Sequence, residues 1–391
     1  MKAGSANPAR LNPFPWRLRD GHRAAGKSTL EQLLAPADIK VNGRRPWDLR
    51  VHNEKFYDRV LADGTLGVGE SYMDGWWDCP RLDEMTCRVF RARLDREIAS
   101  WLVLFDLLRA KLFNLQNQPQ ALRNARRHYD FGNDIYEAML DRRMVYSCAY
   151  WRGVRTLDEA QENKLELCCK KLGLKPGMRV LDIGSGWGAF AQYAAERHQA
   201  RVVGITLSKN QYAHSKRRCA GLDVEIRLQD YRDLHGERFD RIVSIGMFEH
   251  VGCKNYRRFM EVAANCLAED GLFLLHTIGN NVSTTHLEPW MNRYIFPHAM
   301  IPSIAQLGAA CEGLWVMEDW HNIGPDYDRT LMAWFENFDR HWPELKDRYS
   351  RRFYRMWKFY LLSCAGAFRA RELQVWQILL SKNGPAPSRW R

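Results

Sequence analysis

Asp182, Gly184, Gly186 and Gly188 alternate within Val180-Leu-Asp-Ile-Gly-Ser-Gly-Trp-Gly188. Glycines at that spacing let a backbone pass close to a ligand, because a Cβ would collide or forbid the required φ. The apolar residues before them read as a buried strand. The turn therefore sits where open α/β sheets bind ligands, at a strand's carboxyl end where a helix begins. The third glycine follows the second by two residues, whereas the dinucleotide fingerprint requires three. This favours S-adenosylmethionine (SAM) over NAD. Two proton-handling groups follow later apolar runs: Glu249 in Met247-Phe-Glu-His-Val251, and His276 in Gly271-Leu-Phe-Leu-Leu-His-Thr-Ile-Gly279. A carboxylate and an imidazole at strand ends can accept or donate a proton at a reacting centre.

Positioning these groups requires a series of strands. Ala200–Thr206, Val224–Leu228, Phe239–Gly246 and Gly271–Gly279 read as buried strands separated by helical patterns. The alternation implies an α/β fold: a Rossmann-like SAM methyltransferase domain with a doubly wound, mostly parallel sheet. Ligand groups should then come from Gly184, Thr206, Asp230, Glu249 and His276. An NAD enzyme would usually place an acid about 20 residues past the glycines. This chain has Thr206-Leu-Ser-Lys there, which counts against NAD and also departs from the commonest SAM pattern.

The 391 residues suffice for two domains, and a net charge of +12 suggests an anionic partner. Nucleic acid and an anionic membrane surface both satisfy the charge, as does a basic enzyme with no polyanion. Ten cysteines contain no CxxC pair, so neither a metal site nor a disulfide framework is expected, and a cytoplasmic location is. No apolar run approaches the ~20 residues of a spanning helix, so membrane contact should be peripheral.

Residues 1–27 read as a disordered basic tail and 28–105 as a small N-terminal α/β lobe, lipid-associated by the resemblance given below. Residues 106–122 read as a helical linker, and 123–391 as the SAM-dependent catalytic domain. Gly21-His-Arg-Ala-Ala-Gly-Lys-Ser28 matches the phosphate-loop pattern, but no strand can precede it, given Pro13-Phe-Pro-Trp. Ser28-Thr-Leu-Glu31 instead predicts a capping box that opens a helix. In the lobe, Ile39–Val41 and Leu49–Val51 predict strands, and Glu54–Leu61 and Leu82–Leu94 predict helices. Leu66–Trp77 carries too many glycines for regular structure. Arg348, Arg351, Arg352, Arg355 and Lys358 recur at helical spacing among aromatics. Such a helix suits an anionic bilayer, at about 1 kcal/mol per cation, or else a surface helix with its basic face in water. Arg44, Arg45, Arg88, Arg91, Arg93 and Arg96 offer a second basic surface.

Several segments narrow the reading. Gly69-Glu-Ser-Tyr-Met-Asp-Gly-Trp-Trp77, His128-Tyr-Asp-Phe-Gly-Asn-Asp134, Tyr146-Ser-Cys-Ala-Tyr-Trp151, Gly246-Met-Phe-Glu-His-Val251 and Leu275-His-Thr-Ile-Gly279 occur in this order. Glu318-Asp-Trp-His-Asn322, Tyr327-Asp-Arg-Thr-Leu-Met-Ala-Trp334 and Ser363-Cys-Ala-Gly-Ala-Phe-Arg369 follow them. From about 28 to 381 the chain resembles the cyclopropane-fatty-acyl-phospholipid synthases. One departure is Ser185, where the family's turn usually has Cys; Ser is small enough to serve the same turn.

The resemblance implies transfer of a methylene from SAM across a cis double bond of a phospholipid acyl chain, giving a cyclopropane chain and S-adenosylhomocysteine. It implies a bicarbonate ion as base, held by Cys148, Glu249, His276, the Ile278 main chain and Tyr327. Cys364 matches a position treated in some relatives as a nucleophile, although methylene transfer needs no covalent sulfur intermediate. For SAM it points to Tyr146 and Ser147 near the methionine end, over the Asp182, Gly184, Gly186 and Gly188 turn. Thr206, Leu207 and Gln211 would lie near the ribose, and Asp230, Tyr231 and Arg232 around adenine. It further implies an anionic phospholipid surface as partner, on the inner face of the cell membrane, and a homodimer as the assembly to test.

An alkene is a poor nucleophile, so holding it against the methyl group should dominate, at ~7–11 kcal/mol for well-oriented reactants. Aromatic faces can steady the resulting cation by ~0.5–2 kcal/mol each. Tyr146, Phe248 and Tyr327 are the candidates, and each can equally be core. Amino-methylating DNA enzymes need an Asn/Asp-Pro-Pro turn where this chain has Met247-Phe-Glu-His250, so no nucleic acid substrate is expected. A methyltransferase on a lipid or small molecule, without ring closure, is the alternative.

Overall fold

The structure, a computed structural model, describes residues 21–94 and 132–383. The expected helical linker, Arg96 and the first residues of the His128 segment lie outside that range.

The small lobe begins with α1 (Gly21–Leu34), which buries Leu30 and Leu34, one turn apart, in the lobe's core. Residues 28–31 therefore lie inside a helix, and the expected capping box does not form. The helix also reaches back into the stretch read as tail. The two expected strands reduce to a Val41–Leu49 bridge and a two-residue β1 (Arg50–Val51).

Helix α2 (Lys55–Met73) is the larger correction, because it runs through the glycines expected to prevent regular structure. A kink at Gly64, with φ 56° and ψ −133°, absorbs the irregularity. The remaining glycines serve close packing. A Cβ on Gly67 would lie 2.4 Å from the Arg59 carbonyl oxygen, and one on Gly69 would lie 2.3 Å from the Trp290 indole. Helix propensity, worth about 1 kcal/mol per glycine, yields to these tertiary contacts. Strand β2 (Trp77–Asp78) pairs antiparallel with β1, and α3 (Leu82–Arg91) completes the lobe.

The second part opens with α4 (Asn133–Met139) and α5 (Leu157–Lys171), the latter started by a Thr156/Glu159 capping box. Then β3 (Arg179–Ile183), α6 (Ala189–His198), β4 (Arg201–Thr206), α7 (Lys209–Arg218), β5 (Val224–Leu228) and β6 (Phe239–Ile245) alternate. Helix α8 (Tyr256–Cys266) leads to β7 (Leu267–Asn280), which is followed by α9 (Pro289–Tyr294), α10 (Ile304–Cys311) and β8 (Val316–Asn322). Two long helices, α11 (Gly324–Leu345) and α12 (Arg351–Arg369), precede β9 (Leu373–Ser381).

The sheet order is β5-β4-β3-β6-β7-β9-β8. Strands β3 to β7 pair in parallel, whereas β9 runs antiparallel to both of its neighbours. The strand order reverses between β3 and β6, which opens a crevice at their carboxyl ends. The expected α/β class and mostly parallel sheet are therefore present, and β8 and β9 are additions.

Helix α12 carries the expected basic stripe, and two of its arginines, Arg352 and Arg355, reach the lobe. Arg355 is buried, donates to the Tyr72 and Trp77 carbonyls, pairs with Asp78 at 2.8 Å and lies over the Tyr72 ring. Arg352 pairs with Asp74 and Arg348 with Asp134. Arg355 is therefore not solvated, whereas Arg348, Arg351 and Arg352 stay exposed, as a basic face in water requires. Gly366 brings α12 against α3: a Cβ there would lie 2.4 Å from the Asp83 carbonyl oxygen and 2.8 Å from the Cys87 nitrogen. Both obstacles are backbone and cannot rotate away. Gly366→Ala is expected to cost about 1–3 kcal/mol of stability by overpacking, read as a lowered denaturant midpoint. An unchanged midpoint would show that the lobe is not held by this approach.

Candidate active site

At the β3 carboxyl end, the Gly184 and Ser185 N–H groups both donate to the Ile205 carbonyl of β4, at 3.0 and 2.9 Å. This ties the turn to the end of β4. Gly184 has φ +88°, and a Cβ there would lie 2.6 Å from the Met247 side chain. Gly186, at φ +54°, faces open space. Ser185 packs against Gly204 and donates to the Ile205 carbonyl at 3.4 Å, so Ser fits this turn.

A cavity of about 190 Å³ opens over the turn. Tyr146, Ser147, Asp182, Gly184, Gly186, Thr206, Leu207, Gln211, Tyr231 and Arg232 all line it. Thr206 Oγ1 donates to Gln211 Oε1 at 2.9 Å, which leaves the Gln211 amide nitrogen as its remaining polar group. Burial pushes the Asp182 carboxyl up to about 7, opposed by the Lys164 ammonium, and Asp182 Oδ2 has no protein partner. Two expected residues are elsewhere. Asp230 is spent on Arg232, accepting from Nε at 2.8 Å and Nη2 at 2.7 Å, so it orders the cavity wall rather than lining it. Gly188 (φ +82°) lets α6 start beside Ser215, where a Cβ would lie 2.8 Å away.

A second, mainly apolar cavity of about 810 Å³ lies beside the first. Cys148, Glu249, His276, Ile278, Tyr327 and Cys364 line it. It continues between Leu34, Phe56, Val60, Met85 and Phe90 of the small lobe. Tyr146, Ser147, Gly246 and His250 border both cavities, so the two meet there.

Glu249 and His276 converge because β6 and β7 are neighbours, with Ile245 opposite His276. Glu249 Oε1 accepts the Ile278 N–H at 2.7 Å, while its buried Oε2 has no partner in the protein. Burial raises its carboxyl to about 7. The Ile278 N–H is thus committed to Glu249 and is not a free donor. Burial, with Lys164 and Lys171 adding to it, pushes His276 well below its usual range, so it is neutral rather than protonated at neutral pH. Burial also raises the Cys148 thiol and pushes the Cys364 thiol up to about 12. A thiolate nucleophile at 364 is therefore unsupported. Phe248 stacks on Tyr256 with centroids 4.4 Å apart in the core and lines neither cavity. Tyr146 and Tyr327 do face the apolar cavity, and Tyr146 shares a 2.8 Å hydroxyl contact with Tyr360.

Several contributors carried no sequence signal. Lys164, fully buried on α5, donates to Ser147 Oγ at 3.0 Å. Gln161 donates to the Ser147 carbonyl at 2.9 Å, and Thr330 of α11 accepts the Ala149 N–H at 3.1 Å. Together they pin the loop that separates the cavities. Gly184→Ala should strain a positive φ, at about 1–3 kcal/mol, and displace Met247. A roughly tenfold weaker SAM affinity by calorimetry is expected, and unaltered affinity would argue against the turn as the SAM cradle.

A family model described as mycolic acid cyclopropane synthetase matches residues 116–378. The cyclopropane-fatty-acyl-phospholipid synthase of Escherichia coli (strain K12) is 52% identical over 354 residues, spanning 90% of this chain and 92% of the relative. The chain belongs to the cyclopropane synthase family. It is an enzyme of the SAM-dependent methyltransferase class, as its motifs implied. Among solved structures, the cyclopropane synthase MmaA2 from Mycobacterium tuberculosis superposes with a TM-score of 0.64 at 34% identity, covering 69% of this chain and all of that one. The mycolic acid cyclopropane synthase CmaA1, complexed with S-adenosylhomocysteine and CTAB, gives 0.62 at 33% identity, covering 67% of this chain and 98% of that one. The family match begins after the small lobe, whereas the Escherichia coli relative matches nearly the whole chain.

Proposed function

We propose that the chain adds a methylene from SAM across a cis double bond of a phospholipid acyl chain, with bicarbonate as the proton acceptor. The observation that carries this reading is the junction of the two cavities. A ~810 Å³ apolar cavity meets the glycine-turn cavity at Tyr146, Ser147, Gly246 and His250, and the orphan Oε2 of Glu249 lies in its lining. That volume lies within the ~300–1,000 Å³ of ligand pockets, and the apolar wall suits an alkyl chain.

The first cavity fits SAM: glycines stand where a Cβ would intrude, and Asp182 Oδ2 awaits a donor. When bound, SAM supplies an electrophilic sulfonium methyl. The chain's residues do the rest. The apolar walls hold the alkene at the junction and exclude water. Tyr146 and Tyr327 present aromatic faces to the cationic chain left by methyl attack. Glu249, His276, Tyr327 and Cys148 would hold bicarbonate, which would supply a base for the proton lost on ring closure. Ionised, Glu249 can accept the O–H of that anion, while the Tyr327 hydroxyl and a neutral imidazole N–H can donate to it.

Support for an anionic membrane surface comes from the net charge of +12 and from Val282, which is 53% exposed yet lines the apolar cavity and so marks an opening to solvent. Lys40, Arg44, Arg50, Arg91 and Arg93 remain exposed on the lobe. Among the described residues no helix is long and apolar enough to cross a membrane. Such a surface would be met peripherally, on the inner face of the cell membrane. Mass spectrometry of acyl chains after incubation with SAM and unsaturated anionic vesicles tests the reading. A gain of one CH2 that resists mild hydrogenation supports it. The same gain with a reducible double bond would mean methylene branching, and an unchanged lipid with SAM still bound would move the substrate to a small molecule.

A further inference from the structure

His276 sits in a polar row that crosses three strands. It lies opposite Gln377 on β9, and Gln377 lies opposite His321 on β8. Gln377 is fully buried. Its Nε2 donates to His276 Nδ1 at 3.3 Å and to Cys168 Sγ at 3.4 Å, while its Oε1 has no partner. A buried, unpaired amide oxygen costs about 1–3 kcal/mol, which an aliphatic residue in the same strand position would avoid. Gln377 therefore stands in the sheet at a cost to stability, and its bond to His276 is the contact nearest the proposed chemistry.

A neutral imidazole has one donor nitrogen and one acceptor nitrogen, and the partner of one sets the role of the other. His276 is held neutral by its burial, to which Lys164 and Lys171 of α5 add, while Cys168 of α5 meets Gln377 and Glu249 lines the same apolar cavity. Lys171 is itself paired with Asp319 of β8 at 2.9 Å. With Nδ1 accepting from Gln377, the proton must be on Nε2. We propose that Gln377 is a positioning residue that holds His276 as the Nε2–H tautomer, so that one N–H donor serves the apolar cavity. The inference rests on the base-site reading only for its use: that donor would bind an oxygen of bicarbonate while Glu249 accepts the anion's O–H.

The test is long-range 15N–1H NMR on full-length protein labelled at histidine, with the His276 signals assigned by their loss in His276→Asn. Wild type should show Nε2–H alone. Gln377→Met keeps the volume but removes the donor, and should show a substantial Nδ1–H population. In that variant kcat should fall about tenfold, with the KM for phospholipid within twofold. An Nδ1–H tautomer in wild type overturns the proposal, and so does an unchanged Nε2–H tautomer in Gln377→Met. If the variant does not fold, the wild-type spectrum alone decides. A changed tautomer with unchanged kcat would uphold the role of Gln377 and overturn the use of His276 in the base site.

Discussion

Glu249→Gln is expected to lower turnover about 10³-fold while leaving vesicle association and SAM affinity within about twofold. The magnitude is that of removing a positioned proton-handling group, ~10²–10⁴-fold. The amide keeps the size of the carboxyl and can still accept the Ile278 N–H that fixes Oε1. What changes is the other end: the orphan Oε2, an acceptor, becomes an NH2 donor at the proposed bicarbonate site. Glu249 does not line the SAM cavity, so a measured loss of SAM affinity would point to a collapsed fold rather than lost chemistry. Retained turnover would reject Glu249 as part of the base site.

The same substitution carries a stability signature of opposite sign. Burial raises the folded-state carboxyl to about 7 from an ordinary 4.5. Between those values the folded protein holds a proton that the unfolded chain has released. The stability this contributes is full below about 4.5 and is lost as pH rises through 7. Glutamine does not titrate. Glu249→Gln should therefore gain stability over wild type as pH passes 7, by on the order of 3 kcal/mol at most, and lose that advantage near pH 4. Wild-type turnover should rise across the same interval as the carboxylate forms. Urea titrations at pH 5 and pH 8 read the first effect, and a pH–rate profile the second. A variant less stable than wild type at pH 8 would mean that the carboxylate is better solvated than its burial implies.

What could be read from the sequence follows a physical division. The β3 turn was legible because three glycines within five residues have few uses, and two of them do stand at positive φ beside the cavity. Glu249 and His276 were legible because a polar residue at the end of an apolar run is conspicuous in a parallel sheet. The 66–77 stretch was misread because glycine lowers helix propensity locally, while the Trp290 contact that requires Gly69 comes from another part of the chain and the Arg59 contact that requires Gly67 lies across the Gly64 kink of the same helix. The ion pairs of Arg348, Arg352 and Arg355 were hidden because their partners are distant in the chain. The spacing of these arginines shows a basic face, but only the fold reveals Asp74, Asp78 and Asp134 opposite it. Gln377 gave no signal, since its role depends on a strand pairing 101 residues away along the chain.

Lys164 is the strongest case of a residue hidden by its type, because a lysine on an amphipathic helix reads as solvated. Here it is fully buried, burial lowers its pKa, and its ammonium donates to Ser147 Oγ beside Asp182. Lys164→Met fills the slot without a charge. Ser147 loses its donor, and Asp182 loses the cation that opposes the effect of burial, so its carboxyl moves up from about 7 and is more fully protonated at neutral pH. Two groups of the SAM cavity wall are altered at once. SAM affinity is expected to fall about 100-fold, within the ~1–3 kcal/mol of leaving a buried hydrogen-bond partner unsatisfied. Stability should not fall in step, because methionine also removes the cost of desolvating an ammonium in the interior. Calorimetric titration with SAM, paired with a denaturant melt, separates the two effects. Affinity within threefold of wild type would show that Lys164 only fills the core. Lost affinity with a stable fold would place the ammonium among the groups that shape the SAM site.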